Sequence, residues 1–426
     1  MAVAAWRQSR VPVAWACHIT MEQKLQDRTG IRRKLERTDK AVPEFPVPRA
    51  QSPLNIVRPS FPKTEPFLAA FETALQTGQV ANNSRWVVEF ERRLSEYLGV
   101  PSLVFCNGQI GLMVMLRAAG ITSGEVIVPS FTFCATPHAV EWVGAEPVFA
   151  DILDDLTMRL DPRDVERRIT DRTVAILAVD AYGVASDYAS LADIAKRHKL
   201  KFLVDSAPSF GTRVDGQPVG RFADAQMFSF HATKTFSTME GGCVSSHDPE
   251  LLARVKALRN FGQVDSFDCE EAGLNGKMLE ISALIGIEQL KTFELAVATR
   301  RRAVERMRHG LSQIPGLLAG REPAGVEANW LFLPVVVDAQ KFGLDRDGLA
   351  AALEKCNVFV RKYYSPPCHH MTAYKTQNEV KLDVTERTAY NVIALPVYND
   401  MTDEECDLIV AALHYVHQAA LGGQTL

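Results

Sequence analysis

Short apolar runs alternate with stretches of helical apolar spacing from about residue 61 onward. The run Val174–Val179 is continuously apolar, which is typical of a strand covered on both faces. The six runs that predict strands in this part of the chain are 103–106, 126–128, 147–150, 174–179, 201–205 and 225–229. The pattern predicts an α/β fold with a mostly parallel sheet that is wound by helices through right-handed crossovers.

Residues that commonly begin and end helices mark the helical stretches. The stretches 65–77 and 86–98 end at Gly78 and Gly99, as expected of helix C-termini. Thr402–Glu405 has the spacing of a capping box and predicts a last helix with one apolar face. Further helices are predicted over 108–119, 135–143 and 191–197, and from Asp161-Pro162 onward.

The pattern changes after residue 234. A long helical stretch over 281–311 leads to strands at 331–337 and 358–360. We therefore predict a large domain over 53–296 and a smaller C-terminal α+β domain over 297–426.

The N-terminal residues have mixed charge, several prolines and no apolar periodicity. We expect residues 1–52 to form a mobile arm. We also expect the first 20 residues to be an over-extended start, with Met21 as the alternative first residue.

Charge and hydropathy exclude several classes of protein. The formal net charge of −4 gives no overall attraction to nucleic acid or to an anionic membrane. The longest uncharged stretch, Tyr97–Leu116, is interrupted by Pro101, so no membrane span is predicted. The arginines between Arg300 and Arg308 are interrupted by acids and apolar residues and indicate a solvated helix face. We expect neither a nucleic acid partner nor a membrane partner.

The eight cysteines are scattered along the chain. None forms a C-x-x-C pair or a cysteine–histidine cluster at zinc spacing, so no metal site is predicted. The distribution indicates reduced cysteines in a cytoplasmic metabolic enzyme.

One lysine stands in an unusual setting. Lys234 follows Ser229 by five residues and precedes a Glu-Gly-Gly turn, while Asp205 ends an apolar strand 29 residues before the lysine. Pyridoxal phosphate (PLP) needs an amine for its aldehyde, donors for its phosphate and a carboxylate for its ring nitrogen. The order of these three residues favours a Schiff-base lysine over an ordinary solvated one. A helix N-cap remains the alternative for Asp205.

Two further segments lie where a ligand of a parallel sheet would bind. Asn107-Gly108-Gln109 separates the first strand from its helix, so backbone N–H groups there could hold a phosphate. An ordinary turn is the alternative. Phe133 follows the second strand and could stack on a flat ring, although a core aromatic is equally compatible with the sequence.

From Arg58 to Val416 the chain resembles the DegT-type nucleotide-sugar aminotransferases, which are fold-type I PLP enzymes. The similarity is carried by ordered segments, namely 107–109, 129–136, 204–207, 228–230 with Lys234, 240–242, 258–262, 273–278 with 289–290, and 364–367 with His369.

The resemblance implies that Lys234 is the Schiff-base lysine and acid/base, and that Asp205 is the partner of the ring nitrogen. It implies cofactor contacts by Gly108, Gln109, Phe133, Ser229 and Asn275, and substrate contacts by Tyr364 and His369. Asn275 would reach the cofactor phosphate of the neighbouring subunit, so a homodimer with shared active sites is expected.

The resemblance also implies a substrate class. Glutamate or glutamine would donate the amino group to a nucleotide-linked keto sugar. The His231–Lys234 form of the lysine motif is similar to members that use 4-keto-6-deoxyhexoses, while 3-keto sugars and cyclitols stay open.

Three positions depart from the family pattern. Pro208 replaces a common glutamine, Gln109 replaces a threonine, and Lys277 replaces an arginine that could form a bidentate fork. Two functions of other classes agree less well with the sequence. An NAD-dependent sugar oxidoreductase would need a G-x-G-x-x-G segment after a strand, which is missing from the sequence. A PLP-free regulatory or binding pseudoenzyme would explain the altered phosphate turn but would not need Lys234, Asp205 and Ser229 together.

Overall fold

The computed structural model describes residues 47–264, 268–374 and 380–423. Its helices are α1 Thr64–Thr77, α2 Arg85–Leu98, α3 Gly108–Ala118, α4 Ala135–Trp142, α5 Pro162–Arg168, α6 Tyr188–His198, α7 Pro249–Arg259, α8 Glu280–Leu290, α9 Phe293–Leu311, α10 Ala339–Phe342, α11 Arg346–Lys355, α12 Asp383–Asn391 and α13 Asp403–Leu421. Its strands are β1 Ser102–Phe105, β2 Glu125–Pro129, β3 Glu146–Ala150, β4 Thr173–Val179, β5 Lys201–Asp205, β6 Arg213–Val214, β7 Gln217–Pro218, β8 Ala225–Ser229, β9 Gly242–Ser245, β10 Leu317–Ala319, β11 Val326–Glu327, β12 Leu333–Val337 and β13 Val392–Leu395.

A seven-stranded sheet with the order β1-β9-β8-β5-β4-β2-β3 forms the larger part of the fold. Strand β9 pairs antiparallel with β1 and with β8, and the other six strands run in one direction. The α/β prediction and the six predicted strands are confirmed. Strand β9 was not predicted, because it is only four residues long and begins at the second glycine of the Gly-Gly turn.

Side chains of the central strands alternate between two apolar cores. Ile176 and Ala178 of β4 pack into the core on one face of the sheet, while Ala175 and Leu177 pack into the core on the other face. All four side chains are fully buried. A strand with both faces covered reads as a continuous apolar run, so the run of β4 in the sequence has this cause.

Side chains cap several helix starts, and the predicted capping box is one of them. The Asn107 side chain accepts a hydrogen bond from the Ile110 N–H over 2.9 Å at the start of α3. Thr402 and Glu405 form both hydrogen bonds of the predicted capping box at the start of α13. The side chain of Glu280 accepts from three backbone N–H groups around the start of α2, where the helix dipole favours an anion.

The C-terminal part is built around a second, three-stranded sheet with the order β10-β12-β13. Helices α9, α11 and α13 cover it, and residues from all of these elements share one core. This is the expected α+β arrangement. The predicted domain boundary at 296/297 falls inside α9, and the division into two domains stays a prediction.

Two predictions of secondary structure were wrong. The helical stretch 281–311 is interrupted at Lys291 and Thr292, because the chain turns there and buries Phe293. The Phe293 ring contacts the Phe210 and Phe236 rings, each with centroids 5.1 Å away. The predicted strand 358–360 is not formed. Within the described residues its only bridge is the one between Val358 and Leu54, so the segment pairs at a single residue.

Most of the predicted N-terminal arm lies outside the described residues. Its last part does pack on the protein: Ala50 is buried, and its N–H donates to the Cys356 carbonyl over 3.1 Å. Among the helices of the described ranges, none combines the length and the apolar character that crossing a membrane requires.

Candidate active site

The carboxyl ends of β4, β5 and β8 open into a cavity of about 510 Å³. Val179, Asp205 and Ser229, each the last residue of its strand, line it. The cavity also contains Gly108, Gln109, Phe133, Lys234 and Tyr364. Seven of the residues that sequence and resemblance single out are thus brought to one place, although they span the chain from 108 to 364. Ligands of parallel sheets bind at this edge.

Asp205 is held as a buried carboxylate at the end of β5. Its Oδ2 accepts a hydrogen bond from the Thr136 hydroxyl over 2.7 Å, and its Oδ1 accepts from the Ala207 N–H over 3.1 Å. Burial raises the pKa of Asp205, while these two donors and the Lys234 charge oppose the rise. A cationic partner in the cavity would therefore relieve the cost of an ionised Asp205.

A second buried carboxylate fixes the backbone behind Asp205. Asp180 Oδ2 accepts hydrogen bonds from the hydroxyls of Tyr188, Ser206 and Ser209 over 2.6 to 2.9 Å. The Asp180 N–H donates to the Asp205 carbonyl over 3.2 Å. This network ties the turn after β5 to the end of β4, so the position of Asp205 does not depend on a flexible loop.

Lys234 lies in a loop whose ends are anchored by buried rings. Phe230 and Phe236 flank the lysine and contact each other with ring centroids 4.9 Å apart. The Lys234 N–H donates to the His231 carbonyl over 2.9 Å. Burial lowers the pKa of Lys234, and the Asp205 charge opposes this shift. The neutral amine, which is the nucleophilic form, is thereby favoured.

The start of α3 touches the end of β8 so closely that only glycine fits. A Cβ placed on Gly108 would lie 2.9 Å from the Ser229 Cβ, and one placed on Gly242 would lie 2.8 Å from the Gly108 Cα. The helix N-terminus and the Ser229 hydroxyl therefore face one end of the cavity together. The Gln109 side chain donates to the Ala135 carbonyl over 3.2 Å, which joins this turn to α4. N–H groups and a hydroxyl in this arrangement form an anion site.

Aromatic rings form a wall of the cavity. Phe133 is 58% exposed and lines the cavity, which is the placement expected of a stacking ring. Tyr364 also lines it and packs edge-on against the buried Phe131, with ring centroids 5.5 Å apart.

These features fit PLP on chemical grounds. An amine whose pKa burial lowers, a buried carboxyl group and a glycine-lined helix start share a cavity with an exposed ring. Ser229 and the 108–109 turn would hold the phosphate, Asp205 the ring nitrogen, and Phe133 the ring face.

Two predicted site residues are not in the cavity wall. Asn275 is exposed and pairs with Asn260 in a single bridge. His369 is buried beside Ser130, whose Oγ lies 2.5 Å from its Nδ1. The structure therefore does not bring His369 to the cavity, because its turn packs behind the end of β2.

Several residues in or behind the cavity wall were not among the predicted site residues. Thr136 lies within the segment 129–136, but nothing in the sequence indicates its contact with Asp205. Leu331 and Phe332 enter the wall from the loop before β12 and carry no chemical signal. His231 and Glu240 line the cavity as well, with 3.5 Å between Nε2 and Oε1. Their place beside Lys234 in the sequence could have marked them.

Two of the residues that depart from the family pattern, Pro208 and Lys277, make defined contacts. Pro208 lines the cavity, and its carbonyl accepts from the buried Asn329 amide over 2.9 Å. Lys277 donates to Asn260 Oδ1 over 3.0 Å and lies 4.4 Å from the centroid of the Phe261 ring.

Comparison with known proteins agrees with this geometry. Residues 63–414 match the DegT/DnrJ/EryC1/StrS aminotransferase family. The chain belongs to this family. It is therefore a PLP-dependent aminotransferase, and the recognition of the family from sequence is confirmed.

Relatives of this aminotransferase cover most of its length. A dTDP-4-amino-4,6-dideoxy-D-glucose transaminase of Shigella dysenteriae is 34% identical over 86% of the chain and 100% of that protein. A GDP-perosamine synthase of Vibrio cholerae is 31% identical over 78% of the chain and 90% of that protein. The crystal structure of DesI in the presence of its TDP-sugar product has 36% identity and a TM-score of 0.82, covering 88% of this chain and 95% of that one.

Lys234 and Asp205 are the two side chains of the aminotransferase whose positions suggest roles in the reaction. When bound, PLP supplies an aldehyde that reacts with amines and a ring that accepts electrons. Lys234 Nζ is placed to take up and return a proton, because burial favours its neutral form. The Asp205 carboxylate would hold a ring N–H.

Proposed function

We propose that this aminotransferase transfers an amino group from glutamate or glutamine to a nucleotide-linked 4-keto-6-deoxyhexose. The proposal is supported by the cavity that joins Lys234, Asp205, Ser229 and the start of α3. The names of the relatives from Shigella dysenteriae and Vibrio cholerae support a nucleotide sugar as substrate. The reaction takes place in the cytoplasm, which is supported by the free state of all described cysteines.

The surroundings of the cavity support a substrate larger than a keto acid. A second opening of about 510 Å³ shares Thr132, Phe133, Tyr363 and Tyr364 with the PLP cavity. The opening is also lined by Arg361 and Lys362 and by the acids Asp347 and Glu354, and Lys362 Nζ lies 2.7 Å from Asp347 Oδ1. Arg361 and Lys362 would pair with a diphosphate, and the aromatic rim would contact the sugar.

We further propose that the enzyme is a homodimer with shared active sites. Asn275 is exposed and does not line the cavity of its own chain. It lies near the exposed apolar side chains of Phe261, Leu274 and Leu279. An apolar surface of this kind is suited to a second copy of the chain.

A comparison of amino acceptors, assayed one at a time, tests the proposed reaction. The PLP-loaded enzyme is given glutamate or glutamine together with a dTDP- or GDP-linked 4-keto-6-deoxyhexose, a 3-keto sugar nucleotide, a keto cyclitol, or pyruvate. We expect kcat/KM for a 4-keto sugar to exceed that for pyruvate by at least about 100-fold, since remote binding groups contribute to catalysis.

Faster amination of a 3-keto sugar or a cyclitol would contradict the proposed position of amination. Rapid turnover of pyruvate without activity on any sugar would contradict the whole substrate class. Lys234→Ala is the control, because any turnover that it retains comes from contaminating enzymes.

A further inference from the structure

His369, His370 and Glu386 form a compact group outside the PLP cavity. The two histidines end the short turn Cys368–His370, and Glu386 lies in α12. Potential ligand atoms of all three residues lie within 4.8 Å of one another. The separation between Nε2 and Glu386 Oε1 is 3.3 Å for His369 and 3.8 Å for His370.

The 3.3 Å separation fits two ligand atoms on one ion, while the 3.8 Å separation would have to shorten by about 0.4–0.5 Å when an ion binds. A charge-assisted N–H···O hydrogen bond is usually about 2.7–2.9 Å long. A tetrahedral ion with bonds of about 2.0–2.1 Å places its ligand atoms about 3.3–3.4 Å apart. Glu386 Oε1 also accepts from the Leu382 N–H over 3.0 Å, which fixes the carboxylate toward the two rings.

The other nitrogen of each ring already has a hydroxyl partner. His369 Nδ1 lies 2.5 Å from Ser130 Oγ, and His370 Nδ1 lies 2.9 Å from the Tyr390 hydroxyl. Ser130 Oγ also accepts from the His369 backbone N–H over 3.1 Å. Metal-binding histidines commonly have such second partners, which fix the ring and leave Nε2 for the ion.

We propose that His369, His370 and Glu386 bind Zn²⁺ through two imidazole nitrogens and one carboxylate oxygen. Zinc takes this donor set, and three protein ligands leave one position for water. His370 also lines an open surface groove together with Pro366, Met371, Thr372 and Tyr390, so an ion and its water can enter from solvent. The prediction of no metal site rested on spacing in the sequence, which does not reveal Glu386 on a separate helix.

Zinc at this position would connect segments that support the wall of the active site. Ser130 belongs to the segment that continues to Thr132 and Phe133 in the cavity wall. The Cys368 N–H donates to the Ser130 carbonyl over 2.9 Å, so the turn and this segment are already joined. An ion shared with Glu386 would connect both to α12.

Zinc binding by the chelator-treated, PLP-loaded enzyme tests the site. Calorimetric titration with Zn²⁺ and metal analysis after dialysis should give one tightly bound ion per chain. Glu386→Gln and His370→Ala should each weaken binding at least about 100-fold, because partners beyond the ligands alone are worth about 10- to 100-fold. Tyr390→Phe, which removes only the partner of His370, should weaken binding about 10-fold or more.

His198→Ala is the matched control. His198 Nε2 lies 3.0 Å from Glu166 Oε1, and both side chains are about as exposed as His370 and Glu386, but this pair has no third ligand in the described chain. The control should bind zinc like the unchanged enzyme. Absence of stoichiometric zinc, or equal affinity in a folded His370→Ala variant, would overturn the proposal. Circular dichroism verifies folding, and the half-exposed His370 provides a variant that does not disturb the core.

Discussion

Thr136 donates a hydrogen bond from its hydroxyl to Asp205 Oδ2 over 2.7 Å, across 69 residues of sequence. Thr136 stands in α4 and Asp205 ends β5, so this contact joins a helix to the sheet edge where the cofactor binds. Within the described residues it is one of two hydrogen bonds that orient the Asp205 carboxylate, the other coming from Ala207.

Thr136→Val should therefore weaken PLP binding while the fold is kept. A hydrogen bond to a charged group is worth about 1.5–3 kcal/mol, so we expect a loss of roughly 10- to 100-fold in PLP affinity. Fluorescence or absorbance titration of PLP-free enzyme measures the change. Thr173→Val is the control, since Thr173 lies at the other end of the sheet and its hydroxyl likewise has two partners, Thr170 N–H at 2.9 Å and Glu125 Oε2 at 3.5 Å. Equal loss in both variants would mean a general effect on stability.

Lys234 should be the residue to which PLP is attached. The enzyme with PLP should absorb visible light, and borohydride followed by peptide mapping should find the reduced adduct on Lys234. Lys234→Ala should lose this absorbance and all turnover. Lys277→Ala is a useful comparison, because Lys277 is bonded to Asn260 outside the cavity. An adduct on any other lysine would refute the assignment.

The rate of PLP incorporation into PLP-free enzyme should rise with pH and level off at a lower pH than the rate for a free lysine side chain. Only the neutral amine reacts, and burial lowers the pKa of Lys234 from its ordinary 10.5. The midpoint of the rise should therefore lie below the midpoint for a free lysine side chain. Stopped-flow absorbance over about pH 6 to 12, with Nα-acetyl-lysine as reference amine, measures both curves. A midpoint at or above that of the reference amine would show that the lysine is solvated.

Gly108→Ala should damage the phosphate end of the cavity. The new Cβ would lie 2.9 Å from the Ser229 Cβ and 3.2 Å from its Cα, so β8 and α3 must move apart. We expect about 1–3 kcal/mol of lost stability and at least tenfold weaker PLP binding. Thermal unfolding and PLP titration measure the two effects. Gly348→Ala in α11 is the control, because the nearest atom to its Cβ belongs to the Asp345 side chain, 3.2 Å away. Unchanged PLP affinity in the Gly108→Ala enzyme would show that the start of α3 does not bind the phosphate.

Mixed dimers should reveal shared active sites. Asn275→Asp replaces a donor by an anion and should weaken PLP binding at least about tenfold, if Asn275 contacts the phosphate of the partner subunit. Lys234→Ala is inactive for a different reason. In a mixed dimer both lesions fall in one site and the other site is intact, so activity should reappear well above that of either parent.

Co-expression with two affinity tags isolates the mixed dimers for this comparison. No recovery of activity in verified mixed dimers would show that Asn275 serves its own chain or no site at all. Asn260→Asp, at the residue paired with Asn275, provides a neighbouring change of the same charge.

Local patterns were sufficient for much of the fold and for the central chemistry. The apolar run of β4 and the capping box at Thr402 act over a few residues, and each has the predicted effect. The order of Asp205, Ser229 and Lys234 also predicted a common site, because the carboxyl ends of parallel strands meet at one edge of the sheet.

Tertiary structure decided the features that depend on residues far apart in the chain. The direction of β9, the turn that buries Phe293 and the bond from Thr136 to Asp205 follow from packing between separate elements. His369 was expected at the substrate, yet the packing of its turn behind β2 places it beside Ser130 and Glu386. The sequence by itself determined which groups the protein has for PLP chemistry. Only the folded chain determined which of them face the cavity, because the energy of burying each side chain depends on neighbours that the local sequence does not contain.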